Sequence, residues 1–383
     1  MNVCHFGDCL TVMPEMAANS VDAVITDPPY GLGFMGHDWD HGVPGAHFWA
    51  EALRVAKPGA YLLAFGGTRT YHRLTCAIED AGWEIRDCLM WVYGSGFPKS
   101  KNIEGGRGTA LKPAWEPIIM ARKALGGTVE QNAAKYGTGV LNIDECRVVT
   151  TKNVPASESG NRAMPGCGMG GANMGGTGGD PNVGRWPANL LHDGSDEVLA
   201  AFPQAPGQIA DASTDNNARK TQNTYGAMKR GTEASADSEN GGAVGFKMRP
   251  GARRLDEGSA ARFFYCAKAS KKDREEGCEA LAEKAGGMLS NTSGQHITRR
   301  DGGAPGPRKN NHPTVKPTEL MRYLCRLVTP PGGLILDPFM GSGSTGKAAR
   351  LEDFQFTGIE LNPEYIEIAR ARISAGQTWM VFV

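Results

Sequence analysis

Residues 334–360 read as one strand–turn–helix–strand unit, and no other stretch limits the fold as tightly. Leu334-Ile335-Leu336 is a short buried-type strand. A glycine-rich turn from Asp337 to Gly346 follows and opens a helix from about Thr345. Residues 356–359 form the next strand, which ends at Glu360. Strands joined through a helix in this way belong to parallel sheets covered on both faces. In the turn, Gly341 and Gly343 have no side chains in the way, so backbone N–H groups can approach a ligand closely. An acid at the end of the second strand can accept both hydroxyls of a ribose. Strand, turn, helix and acid together indicate a nucleoside cofactor.

Gly341-x-Gly343-x-x-Gly346 also fits the dinucleotide fingerprint of nicotinamide dehydrogenases. Two features count against that class. Asp337-Pro338-Phe339 stands where those folds have an apolar strand end, and too little chain follows the turn to complete a dinucleotide fold.

Alternating strands and helices also fill residues 1–125. Val21 to Thr26 is a strand running into Asp27-Pro28-Pro29-Tyr30. Phe48, Leu53 and Ala56 suit one helix face, Tyr61 to Phe65 a buried strand, and Ile85 to Tyr93 another. Arg262 to Tyr265 also looks like a strand. Leu320, Leu324 and Leu327 mark a helix stopped by Pro330-Pro331, and Asn362 is a fitting N-cap with Pro363 at the first helical position. Between the two α/β stretches the pattern is lost. Ten of the 25 residues from 160 to 184 are glycine, and residues 211–240 are polar, so no packed core is expected there.

The Asp27-Pro28-Pro29-Tyr30 segment carries the sharper chemistry. Two prolines after a buried strand hold the backbone extended and remove two N–H donors. What remains is an acceptor edge, the Asp27 carboxylate and the Pro28 carbonyl, suited to the two N–H donors of a planar amine. Tyr30 adds a flat face on which a base can stack.

Both motifs resemble those of the β class of amino-directed DNA methyltransferases. In that family D-P-P-Y stands first, a target-recognition region follows, and an F-x-G-x-G loop stands last. Asp27 to Tyr30, the irregular middle and Phe339-Met340-Gly341-Ser342-Gly343 reproduce that order. Gly7-Asp8-Cys9-Leu10, His312-Pro313-Thr314-Val315-Lys316-Pro317 and Gly358-Ile359-Glu360-Leu361-Asn362 resemble further elements of the family.

The resemblance implies a Rossmann-like α/β fold, a mostly parallel seven-stranded sheet with an inserted target-recognition region. Residues 1–125 would form the catalytic half, 126–262 a partly flexible recognition insert and 263–383 the cofactor half. It implies S-adenosylmethionine as cofactor and Asp27, Pro28, Pro29 and Tyr30 as catalytic residues. Asp8, Lys316, Asp337, Phe339, Gly341, Ser342, Gly343, Ser344, Thr345, Glu360 and Asn362 are then cofactor-binding candidates. Lys316 is also open to phosphate contact or to a helix-flanking role.

The implied substrate is an exocyclic amine in duplex DNA, reached by base flipping. Asp27 as first motif residue favours adenine N6, with cytosine N4 the alternative and an RNA base or a protein amide the next. A DNA-binding protein without turnover is the non-enzymatic alternative. No Pro-Cys pair occurs, as cytosine-C5 transfer would need. A homodimer and a cognate restriction endonuclease are compatible partners.

Formal net charge is zero, so any phosphate contact must be local. From Lys247 to Arg274 nine Lys/Arg face three acids, and this run is expected to contact DNA phosphate. Trp186 with Arg185, and Phe263, Phe264 and Tyr265 with Lys268, are weaker candidates for base or phosphate contact. The nine scattered cysteines, without a C-x-x-C pair, read as reduced thiols of a cytoplasmic protein. No metal site is expected, and no signal peptide or membrane-spanning run is legible.

Overall fold

The computed structural model describes residues 2–32, 42–96, 100–101, 103–149, 184–204, 258–267, 273–284 and 307–376. The glycine-rich 160–183 stretch, the polar 211–240 segment and most of the basic run lie outside them. The chain divides into two compact units. Unit 1 comprises Met1–Cys146, Pro187–Leu199 and Phe264–Val383; unit 2 comprises Arg147–Trp186 and Ala200–Phe263.

Unit 1 is built on a nine-stranded sheet. Its strands are β1 (Asn2–Phe6), β2 (Val21–Thr26), β3 (Ala56–Phe65), β4 (Glu84–Val92), β5 (Trp115–Arg122), β6 (Leu190–His192), β7 (Tyr265–Cys266), β8 (Leu334–Asp337) and β9 (Gln355–Glu360). Their order is β1-β9-β8-β2-β3-β5-β4-β6-β7. Only β5 runs against its neighbours. Seven strands were expected; β6 and β7 add a short edge beside β4. Three and two residues are too few to display a period, which is why the residue pattern does not announce them.

Strand residues alternate between two cores, as a period of two demands. Ala23, Ile25, Leu63, Phe65, Ile335 and Phe356 pack against α6 (Thr318–Val328), α7 (Ser344–Leu351) and α8 (Pro363–Ala375). Val24, Leu62, Ala64, Leu336 and Ile359 pack on the other face against α1 (Cys9–Val12), α2 (Ala46–Val55) and α3 (Tyr71–Asp80). A sheet buried on both sides explains the continuous apolar runs of β2, β3 and β8. Each large aliphatic side chain so buried contributes about 1.5–3 kcal/mol.

Several local expectations shift. The buried face of α2 is Trp49, Ala52 and Val55, one position from the expected Phe48, Leu53 and Ala56. The Trp49 indole is drawn inward and donates to the Pro44 carbonyl at 3.1 Å. Residues 260–263 form a 3-10 turn, so only the end of the expected Arg262 to Tyr265 strand pairs.

Strand β5 is not apparent in the sequence because Pro117 sits inside it, and proline is rare in interior strands. Its place is explained by register: Met90 faces Pro117 but sends its N–H to Asn189 on the opposite side at 2.8 Å. The β4 ladder therefore requires no N–H from Pro117.

Unit 1 also runs past the expected boundary at residue 125. Helix α4 (Val129–Tyr136) opens with a Thr128–Gln131 capping box. Its buried Asn132 donates to the carbonyls of Pro58 and Thr138 at 3.0 and 2.8 Å, tying the helix to β3. Among the described residues, no helix is long and apolar enough to cross a membrane.

Candidate active site

Strands β1, β9, β8 and β2 lie side by side and parallel. Their carboxyl ends carry Asp8, Glu360, Asp337 and Asp27. Adjacent strands are about 4.8 Å apart, so four acids far apart in the chain become one row. All four line a cavity of about 1530 Å³, placed where open α/β sheets bind ligands.

The glycine loop lines one side of this cavity. Its N–H groups are largely engaged within the protein. Phe339 donates to Asp337 at 3.1 Å, Met340 to the Ile359 carbonyl at 2.9 Å, Gly341 to Glu360 at 2.7 Å and Gly343 to the Met340 carbonyl at 2.9 Å. Glu360 takes a second N–H, from Asn362, at 2.7 Å on its other oxygen. Each oxygen keeps a lone pair, so the carboxylate can still accept ribose hydroxyls.

The glycines are required by packing, which changes the reason inferred from sequence. Gly341 and Gly343 both have positive φ, 53° and 75°. A Cβ on Gly341 would meet the His312 imidazole at 2.8 Å, and one on Gly343 would meet Ala369 at 2.9 Å. A Cβ on Gly346 would press into Ile373 and Phe356. Arg372, fully buried in α8, braces the loop by donating to the Ser342 carbonyl, the Ser342 hydroxyl and the Ser344 hydroxyl. Ser342 and Ser344 thus serve the loop itself and Thr345 hydrogen-bonds Asp337, although all three line the cavity.

Burial pushes Asp337 up to about 7, against the opposing hydrogen bonds of Thr26, Thr345 and Phe339. Burial also raises the Glu360 carboxyl. Asp8 caps α1 by accepting from the Leu10 N–H at 2.8 Å, and Asn362 caps α8 by accepting from Glu364 and Tyr365. The Phe339 ring lies 5.8 Å from Phe48 and 6.0 Å from Trp49. A cavity wall of acids, with few free N–H donors, favours a nucleoside carrying positive charge over a diphosphate.

Asp27 stands at the centre of a second cluster. Its carboxylate accepts from the Tyr30 hydroxyl at 2.8 Å and from the Lys316 ammonium at 2.9 Å, on different oxygens. Lys316 also reaches Glu116 at 3.1 Å and the Tyr30 oxygen at 3.1 Å. Its three donors therefore have three partners, all in the Asp27 cluster and none in the glycine loop. Burial would lower the Lys316 ammonium, but Asp27 and Glu116 outweigh it and hold its pKa above the ordinary value. Burial, then the same two carboxylates, keeps the Tyr30 hydroxyl protonated far above neutral pH. The Lys316 ammonium lies 5.4 Å from the Tyr30 ring centre, and Thr70 holds the Tyr30 carbonyl at 2.6 Å. Pro28 and Pro29 line the same cavity.

Beside this cluster, burial lowers His312 to about 4, outweighing its bond to the Thr314 carbonyl and the nearby Asp27 charge. The imidazole is neutral near pH 7 and edges onto Tyr365 at 4.5 Å.

The N6/N4 family model described as DNA methylase matches residues 21–371. The chain belongs to that family. S-adenosylmethionine is the cofactor of this family. It is 46% identical over 72 residues to the type II methyltransferase M.Cfr9I of Citrobacter freundii, covering 19% of this chain and 24% of that relative. It is 45% identical over 67 residues to M.XycI of Xanthomonas campestris pv. cyanopsidis, covering 18% and 22%. These alignments span about a quarter of the relatives' length. Among solved structures, the M1.HpyAVI–SAM complex aligns over 97% of this chain and 100% of its own, at 15% identity and a TM-score of 0.41.

Two residues that build this site, Glu116 and Arg372, are not among the candidates the sequence offers. Glu116 lies next to Pro117 in the unrecognised strand β5, and Arg372 reads as an ordinary helix arginine. Of the basic run, only Arg262 and Arg274 are described. Arg262 donates to the carbonyls of Gly258 and Ser259, and Arg274 to that of His312 at 2.6 Å. Lys247, Arg249, Arg253, Arg254, Lys268, Lys271 and Lys272 lie outside the described residues. Tyr265 stacks on Tyr323 at 3.9 Å, a packing role. Within unit 2, Arg185 covers Phe263, whereas Trp186 is 62% exposed beneath Arg147.

Proposed function

We propose that the methylase transfers a methyl group from S-adenosylmethionine to the N6 amine of adenine in duplex DNA. The observation that carries this reading is the meeting, in one cavity, of the Asp27 acceptor edge and the acid-lined glycine loop. Glu360 and Asp8 suit the ribose and the charged portion of the cofactor, and Phe339 offers a ring for its base. When bound, S-adenosylmethionine supplies an electrophilic methyl group on a positively charged sulfur. The cavity exceeds the ~300–1,000 Å³ of ordinary small-molecule sites, which leaves room for a base flipped out of the duplex.

Asp27 and the Pro28 carbonyl accept the amine hydrogens and localise a lone pair otherwise delocalised into the ring. The nitrogen becomes positively charged as the new N–C bond forms and the C–S pair returns to sulfur. The same acceptors stabilise that charge, being fixed before reaction. The surplus N–H proton then leaves through the Asp27 edge. Tyr30 holds one Asp27 oxygen in place and flanks the base. Sequence reading of the DNA falls to the insert expected at 126–262. Asp27 as first motif residue favours adenine.

Incubation with labelled S-adenosylmethionine and mixed-sequence duplex DNA, followed by digestion to nucleosides, tests this. Label in N6-methyladenine is expected. Label in N4-methylcytosine would move the target to cytosine, and label in RNA or protein alone would sink the DNA assignment.

A further inference from the structure

The Lys316 ammonium poses a problem for the reaction. It sits 2.9 Å from the carboxylate next to which a nitrogen must become cationic, and it is 6% exposed. A buried positive charge there opposes the transition state. Glu116 is placed to offset it. Its carboxylate meets the ammonium at 3.1 Å and lies 3.1 Å from the Tyr30 hydroxyl. Tyr93 also hydrogen-bonds Glu116. One ammonium against two carboxylates, with Tyr30 and Tyr93 neutral, leaves one net negative charge facing the amine.

We propose that Glu116 is a positioning residue that balances Lys316, so that the Asp27 edge keeps a net negative charge where the amine becomes cationic. Lys316 in turn holds Asp27 and Glu116 together through its two ion pairs. The four groups come from the end of β2, from β5 and from the entry to α6, so the balance exists only in the folded chain. This inference rests on the amine-methylation reading above.

A double-mutant cycle on kcat for DNA methylation tests it. Glu116→Gln leaves Asp27 and Lys316 neutralising each other, and kcat should fall at least tenfold. The KM for S-adenosylmethionine should stay within about twofold, because Glu116 faces the amine and not the cofactor loop. Glu116→Asp keeps the charge and should recover part of the loss. Combining Glu116→Gln with Lys316→Met restores a single negative charge on Asp27, so the double variant should be faster than Glu116→Gln alone. Losses that simply add, or an unchanged kcat in Glu116→Gln, would overturn the proposal. If Lys316→Met alone fails to fold, the rise from Glu116→Gln to the double variant still decides it. Failure of the unmodified protein to methylate any DNA amine would instead overturn the function on which the inference rests.

Discussion

At the residue scale, the proposed function divides the site into a group for the amine and a group for the cofactor. Asp27 and Glu360 lie at the ends of different strands and share no hydrogen-bond partner. Asp27→Asn should lower kcat by about 10²–10³ while cofactor affinity stays within a few-fold, since it removes a transition-state acceptor. Glu360→Gln should do the reverse. Losing a charged acceptor for the ribose is worth about 1.5–3 kcal/mol, which raises the Kd for S-adenosylmethionine roughly ten- to a hundredfold. Calorimetric binding alongside single-turnover transfer reads both, and equal damage to binding in both variants would refute the division. The two ends of this pattern were legible because D-P-P-Y and the strand-end acid are local signals. The links of this motif to Lys316 and Glu116 were not: Lys316 is 286 residues from Tyr30 and Glu116 is 86, and no short-range pattern connects them.

At the element scale, the glycine loop is a packing device before it is a ligand surface. It turns tightly because α8 lies directly behind it, with Ala369 against Gly343 and Arg372 threaded beneath Ser342. Gly343→Ala places a side chain at φ 75° and 2.9 Å from Ala369. Such strain and overpacking cost about 1–3 kcal/mol each. The variant should therefore melt several degrees lower even without cofactor. An unchanged Tm with lost cofactor binding would return Gly343 to the role of clearing space for the ligand. Strand β5 teaches a related lesson: the Pro117 signal argues against a strand, and register alone makes the proline harmless.

At the scale of the whole molecule, stability should carry the signature of a buried neutral histidine. His312 joins the 310–316 segment to the glycine loop, and its folded pKa is about 4. An unfolded histidine takes up its proton near pH 6.5. The unfolded state is therefore favoured progressively as pH falls from about 6.5 to 4, with no further loss from this group below that. The total is about 3 kcal/mol, from roughly 1.4 kcal/mol for each pH unit of depression. Denaturant unfolding across that window should show the decline, and His312→Gln should flatten it. An equal slope in both proteins would assign the acid sensitivity elsewhere. The amino-acid sequence by itself determined the α/β class, the two chemical motifs and their order, because strand period, proline and glycine act within a few residues. The tertiary structure alone decided that four strand-end acids form one row, that Lys316 contacts Asp27 and not the glycine loop, and that the loop glycines answer to His312 and α8. Those outcomes depend on strand order and on which side chains meet across hundreds of residues, and burial makes such meetings strong by removing the water that would otherwise screen them.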